Sequence, residues 1–229
     1  MTIDIRWLGH SAFMIAAGAD RVLVDPFLTG NPKAAATADE VDPTAILLTH
    51  GHADHLGDTV DIAKRTGAKT VAITEIANEL GEDGLDVVDP NLGGTVKFDW
   101  GWVKLVPALH TSTTPKGTVS LSAGLLISFH DVLVYHVGDS ALFSDLGLAA
   151  RRGDPVDVAL VPIGGHWTMD RWDATTACDL IGAKHVLPCH FGTFPPLETD
   201  AAAFKADVEN ATSSEVFVLE PGETHTHER

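Results

Sequence analysis

The segment Thr49-His50-Gly51-His52-Ala53-Asp54-His55 crowds three imidazoles and a carboxylate into six residues. It follows the apolar run Ala45 to Thr49 and precedes a helical pattern that starts near Leu56. Ordinary surface loops are built mostly from Gly, Pro, Asn, Asp and Ser. Side chains of the kind seen here converge only where something neutralises and organises them. Imidazole nitrogen and carboxylate oxygen together suit zinc, manganese or iron. The chemistry in view is metal-assisted attack by water, with an ion lowering the water's pKa and polarising the bond under attack. No G-x-S-x-G elbow occurs, which agrees with direct attack by water.

Further candidates recur along the chain. Asp25 stands in Val24-Asp25-Pro26-Phe27, His110 in Pro107-Ala108-Leu109-His110-Thr111, and Asp139 in Tyr135-His136-Val137-Gly138-Asp139-Ser140. His190 lies in Leu187-Pro188-Cys189-His190-Phe191-Gly192-Thr193. With His50, His52, Asp54 and His55 spaced as HxHxDH, this ordered set resembles the metallo-β-lactamase superfamily. Other segments resemble a narrower group of compact metal-dependent hydrolases related to the ascorbate-phosphate lactonase branch. They are Trp7-Leu8-Gly9-His10-Ser11, His55-Leu56-Gly57-Asp58-Thr59, Asn91-Leu92-Gly93-Gly94, the stretch from Pro162 to Met169, and the stretch from His190 to Pro195.

The resemblance implies a four-layer αββα sandwich of the α/β class. It also implies two divalent ions, zinc or manganese before nickel or iron. His50, His52 and His110 would hold one ion, Asp54, His55 and His190 the other, with Asp139 bridging. Asp25 would orient a histidine of the HxHxDH loop. A hydroxide shared by the ions would attack the substrate, with Asp54 and Asp139 in the catalytic centre. Two departures stand out: Ser140, where the group often carries Thr, and His166, where it often carries Asn.

His166, in a Gly-Gly-His-Trp loop, is a candidate for a proton donor or an anion contact outside the ligand set. His10 reads as a structural residue, or as a support or substrate contact near the metals, and His136 as support or core. Asp58 would cap or support the ligand loop, or lie exposed. His130 and His185 look like strand-edge or surface residues. His225 and His227 fall in the polar tail from Thr224 to Arg229, which is expected to fray. Cys178 and Cys189 form no CxxC pair and read as buried thiols.

Short Val- and Ile-rich runs between turn signals predict strands at Ile3 to Leu8, Ser11 to Ala16, Arg21 to Val24, Ala45 to Thr49, Thr70 to Ile73 and Thr95 to Phe98. They continue at Val103 to Val106, Ser122 to Ser128, Val132 to Val137, Val156 to Val161, His185 to Leu187 and Val216 to Leu219. Helices are predicted over Leu56 to Arg65, Glu75 to Leu80, Asp173 to Ile181, and Thr199 to Ala211 with Thr199 or Asp200 as N-cap. Asn31 to Asp42 reads as a surface loop or short helix. Early hairpins followed by strands alternating with helices suggest two packed sheets in one domain over residues 1–229.

The chain of 229 residues is 45% apolar and carries 15 Lys and Arg against 32 Asp and Glu, a net charge of −17. Such a field disfavours long nucleic acid, whose binding relies on neutralising phosphates. No basic leader or membrane-length apolar run is visible, so a cytoplasmic protein is expected. Self-association is left open. A small-molecule substrate is expected, a phosphodiester or phosphorylated compound ahead of a lactone or ester. The rival classes are a di-iron redox protein, although no flavin-binding segment follows, and a metal-holding protein without turnover.

Overall fold

The computed structural model describes residues 2–149, 155–197 and 200–228. Its first half runs β1 (Thr2–Gly9), β2 (Ala12–Ala17), β3 (Asp20–Val24), β4 (Ala45–Leu47), α1 (Ala53–Leu56), α2 (Thr59–Thr66), β5 (Lys69–Val71), α3 (Thr74–Glu82), β6 (Val87–Val88), β7 (Thr95–Phe98) and β8 (Gly101–Pro107). The second half runs β9 (Ala123–Phe129), β10 (Val132–His136), α4 (Leu146–Ala149), β11 (Val158–Pro162), α5 (Arg171–Ile181), β12 (His185–Cys189), α6 (Ala201–Ala211), β13 (Glu215–Val216) and β14 (Thr224–Glu228).

Two seven-stranded sheets result, ordered β14-β1-β2-β3-β4-β5-β6 and β13-β12-β11-β10-β9-β8-β7. Ile3, Ile5, Phe13, Ile15, Leu105, Ile127, Val134, Leu160 and Leu187 belong to one continuous core, which also takes in Ile62 of α2 and Ile76 of α3. A second core joins Tyr135, Ala159, Val161 and Val186 to Ala174 and Cys178 of α5 and Phe204 of α6. Central strands such as β4, β10 and β11 therefore bury both faces, one against the other sheet and one under helices, while outer strands such as β1 and β14 bury one face and expose the other. That is the αββα order expected. Among the described residues, no helix is long and apolar enough to cross a membrane.

Strand direction decides where chemistry can gather. β1, β2 and β3 are antiparallel in turn, and β3, β4 and β5 are parallel. β8, β9 and β10 are antiparallel in turn, and β10, β11 and β12 are parallel. The C-terminal ends of β1, β3 and β4 thus share one rim of the first sheet, and those of β8, β10, β11 and β12 share one rim of the second. Ligands bind such open α/β sheets outside the carboxyl ends of the strands.

Three expectations need correction. The helix predicted over Leu56 to Arg65 is two, α1 and α2, broken at Gly57 with φ +43°. A Cβ there would lie 2.3 Å from the carbonyl oxygen of Pro26, so only glycine lets the ligand helix approach the loop after β3. The strand predicted at Val216 to Leu219 is short, covering only Glu215–Val216. Thr224–Glu228 of the tail does not fray: it forms β14, which pairs with β1 through Thr2–Glu228, Ile3–His227 and Ile5–His225. α5 begins at an Asp170 cap that accepts from Trp172 N and Asp173 N, and α6 at Asp200, which accepts from Ala203 N. The alternative cap Thr199 lies outside the described residues. Asn31 to Asp42 forms turns and bends without a helix.

Candidate metal centre

Every candidate ligand leaves the shared strand-end rim. Asp25 follows β3; His50, His52, Asp54 and His55 follow β4 and enter α1; His110 follows β8; Asp139 follows β10; and His190 follows β12. Ligand atoms of His50, His52 and His110 lie within 4.8 Å of one another, as do those of His10, Asp54, His55 and His190, and those of His50, His55 and Asp139. Asp139 Oδ2 lies 3.1 Å from His190 Nε2, 3.3 Å from His55 Nε2 and 3.6 Å from His110 Nε2. One carboxylate thus faces imidazoles of both groups.

Asp25 organises this rim from below. Its Oδ1 accepts from Thr49 N at 2.8 Å. Its Oδ2 accepts from Thr49 Oγ1 at 2.6 Å and from His55 Nδ1 at 2.8 Å. Because the Thr49 hydroxyl donates to Asp25, it accepts from His50 Nδ1 at 2.9 Å. Both His50 and His55 are therefore fixed with a proton on Nδ1 and a lone pair on Nε2 aimed into the site. Support of this kind is what metal-bound histidines ordinarily have.

His10 sits differently. Its Nδ1 lies 2.9 Å from Thr193 Oγ1 and its Nε2 3.2 Å from Asp54 Oδ2. With the Nε2 proton given to the carboxylate, Nδ1 accepts from Thr193. Both nitrogens are engaged, so His10 positions Asp54, and its ring lies tilted against that of His190 with centroids 3.9 Å apart. The backbone repeats the link, since His190 N donates to the His10 carbonyl at 3.0 Å. His10, Asp25 and His190 all hold φ near +50°, between +43° and +56°. Strained backbone of this kind persists where the surroundings over-determine it, and it clusters at functional sites.

The remaining candidates have plain places. His136 donates from Nε2 to the Ser11 carbonyl and accepts from Gly138 N at Nδ1, so it anchors the turn into Asp139. Ser140 Oγ accepts from Leu109 N, tying the His110 loop to the Asp139 loop. Asp58 Oδ2 accepts from Leu28 N and Thr29 N, closing the junction at Gly57. His130 pairs with Asp20 at 2.8 Å. Cys178 and Cys189 are buried free thiols. Asn91 Oδ1 accepts from Leu92 N in a turn.

A cavity of about 480 Å³ opens over the cluster, lined by His52, Asp54, His110, Thr111, Asp139, Trp167, His190 and Phe194. His166 lines a neighbouring cavity with Asp170, Arg171 and Trp172, and it is the next residue, Trp167, that faces the site. Trp167, Phe194, Thr193 and Ser112, whose hydroxyl accepts from Gly51 N, were not singled out in the sequence. Trp167, Thr193 and Phe194 lie in segments that carry the family resemblance, but no role could be read for them, and Ser112 lies in none of those segments.

Burial and the neighbouring charges set the protonation of the cluster. Burial, first, and the nearby His55 push His50 well below the usual histidine range, and burial likewise lowers His52 and His110. Burial also brings His10 down to about 4, against the opposing hydrogen bond to Asp54. Burial alone would raise Asp139, but the charges of His190 and His55 outweigh it and hold the carboxyl well below normal. Asp54 is lowered in the same way, with burial opposed by the His10 hydrogen bond and the His55 charge. Burial would lower His55, yet Asp139 and Asp25 raise it well above the ordinary value. Positive charge is thus favoured at His55, either as a second proton on Nε2 or as an ion that takes the Nε2 lone pair in that proton's place.

A metal fits this donor set. His55 Nε2, Asp139 Oδ1 and both nitrogens of His190 are buried without a hydrogen-bond partner. Leaving such groups unsatisfied costs free energy, whereas an ion uses the lone pairs directly.

Comparison with known proteins agrees. A family profile described as "Beta-lactamase superfamily domain" matches residues 4–190. A UPF0173 metal-dependent hydrolase of Thermococcus onnurineus is 44% identical over 96% of this chain and 98% of that one. A Thermus thermophilus relative with the same description is 44% identical over 96% of this chain and 97% of its own. The solved structure of Igni18, described as a novel metallo hydrolase from Ignicoccus hospitalis, superposes with a TM-score of 0.92 at 36% identity over all of both chains. The chain belongs to the beta-lactamase superfamily and, within it, to the UPF0173 metal-dependent hydrolase family.

Proposed function

We propose that the protein hydrolyses a small substrate at a dinuclear site held by His50, His52 and His110 on one side and Asp54, His55 and His190 on the other, with Asp139 between them. The observation that carries this reading is the Asp139 carboxylate, set 3.1–3.6 Å from imidazoles of both groups at the floor of the cavity. Two divalent ions held there would supply Lewis acidity and a water acidified toward neutrality. The chain's own residues do the rest. Asp25 and Thr49 fix two ligand tautomers, His10 holds Asp54, and Trp167 and Phe194 wall the substrate space.

A phosphodiester is the first substrate class. Two divalent charges against Asp54 and Asp139 leave a positive excess that suits an anion and spreads over the oxygens of a phosphoryl transition state. An ester or lactone is the second, favoured by an aromatic wall with no Lys or Arg among its described lining residues. The deciding experiment is metal analysis with turnover of bis(p-nitrophenyl) phosphate beside a lactone and aryl-ester panel. Two ions per chain, and turnover lost in His50→Ala and Asp139→Ala, are expected at this site. Full turnover in Asp139→Ala overturns the bridging role. Flavin-dependent oxygen reduction without hydrolysis favours a redox protein instead. Trp167→Ala should raise KM for aromatic substrates more than it lowers kcat.

A further inference from the structure

The opposite end of the sandwich carries a second histidine cluster. β14 runs antiparallel to β1, so His225 and His227 lie beside Ile5 and Ile3, toward the start of β1 and away from the ligand rim. Both side chains are buried on the inner face of β14, with Thr224, Thr226 and Glu228 alternating outward. His185 opens β12, the strand that ends at Cys189 just before His190. Five residues at about 3.3 Å each put it roughly 16 Å from the metal centre. Here the edge of one sheet meets the other.

Three ring nitrogens converge. His185 Nδ1 lies 3.1 Å from His225 Nε2 and 3.2 Å from His227 Nδ1. A ring nitrogen carries either one proton or one lone pair, so His185 Nδ1 can satisfy only one of these two contacts by a hydrogen bond. The other is then left a weaker share of the same proton or lone pair in a three-centre contact, unless a cation takes the proton's place. Zinc–imidazole bonds of 2.0–2.1 Å in a tetrahedron place nitrogens about 3.3 Å apart, close to the two spacings seen. Beyond the triad, Asp157 Oδ1 stands 3.9 Å from His227 Nε2, on the far side of the ring from His185, and pairs with Lys184 at 2.6 Å. At that distance the carboxylate makes no hydrogen bond to the ring, but it places negative charge on the outer side of the triad. Phe217 packs on His185 and His225 with ring centroids at 5.0 and 4.4 Å and shields the group.

We propose that His185, His225 and His227 form a separate site for one divalent transition ion of the zinc class, a clip joining the two sheets far from the reaction. Three imidazoles leave a fourth position for water. The site is independent of the hydrolytic reading.

The test strips the full-length protein with chelator, reconstitutes it with Zn²⁺, and counts tightly bound ions by elemental analysis. Wild type, His185→Gln, the double variant His225→Gln/His227→Gln, and Asp139→Ala are compared, each checked for folding by circular dichroism. The His185 and double variants are expected to hold one ion fewer than wild type, while keeping the ions that Asp139→Ala weakens. Zn²⁺ should also still raise the Tm of Asp139→Ala, an increment that disappears when His185→Gln is added. His185 is only half-buried, so its variant serves if the double variant does not fold. An unchanged ion count in folded His185→Gln, or half-saturation of the extra ion only above millimolar Zn²⁺, overturns the proposal.

Discussion

His55 bridges two buried carboxylates, with Nδ1 2.8 Å from Asp25 Oδ2 and Nε2 3.3 Å from Asp139 Oδ2. The first contact fixes the proton on Nδ1, and the second places Nε2 beside Asp139 at the metal centre. Asp25→Asn keeps the shape, and Asn also tolerates the left-handed backbone at this position. It loses the charge and can turn an amide proton toward His55. We expect metal affinity to fall about 10–100-fold, measured by competition with a chromophoric chelator, with the circular dichroism spectrum unchanged. Wild-type affinity in Asp25→Asn would remove Asp25 from the support of the site.

Metal removal should be visible as stability. An ion that binds only the folded state adds about 2.7 kcal/mol at a hundredfold excess over its Kd. For a chain of this size each kcal/mol moves Tm by about 2–4 °C. Chelation should therefore lower Tm by about 5–10 °C, and Zn²⁺ or Mn²⁺ should restore it. No response to any divalent ion would contradict the reading of the orphaned His55 and His190 nitrogens.

Gly164 abuts the ligand loop. A Cβ at this position would lie 2.0 Å from the His190 carbonyl oxygen, so Gly164→Ala must push the His190 backbone away. Overpacking of this kind costs about 1–3 kcal/mol, and a displacement near 1 Å at a ligand can cost about a hundredfold in rate. Turnover in Gly164→Ala is expected to fall far more than stability, read as kcat against the urea midpoint.

The thiols should be silent. Burial pushes Cys178 up to about 12 and raises Cys189 well above its usual value, with the charges of Asp139 and Asp25 adding to burial at Cys189. A thiol reagent at pH 8 should find no reactive group in native protein and two after unfolding. The sign of the pH effect follows from the raised folded values. The stabilising contribution is full below an unfolded thiol pKa of about 8.5 and is lost as pH rises toward 12. Rapid labelling of native protein would show that the strand beneath His190 opens.

Much of the site was legible because its densest part is local. His50, His52, Asp54 and His55 stand in one loop, where ligand spacing is written directly into consecutive residues. The αββα order and the ordered positions of Asp25, His110, Asp139 and His190 followed from resemblance. Short, doubly buried strands such as Val158–Pro162 and Val132–His136 announced themselves by continuous apolar runs. The break at Gly57 was hidden, since a glycine within a helical pattern does not reveal the Pro26 carbonyl packed against it.

The sequence by itself determined which side chains can bind metal and in what order they occur, because donor chemistry belongs to each residue. Only the tertiary structure decided which donors meet. Thr193 reaches His10 across 183 positions, Asp54 is held by that same His10, and Trp167 rather than His166 faces the cavity. His225 and His227 read as a fraying tail until β14 paired with β1 and turned them inward to His185. Pairing of distant strands is set by the summed burial of whole faces, and no local pattern in the Thr224–Glu228 segment records the partner it will find.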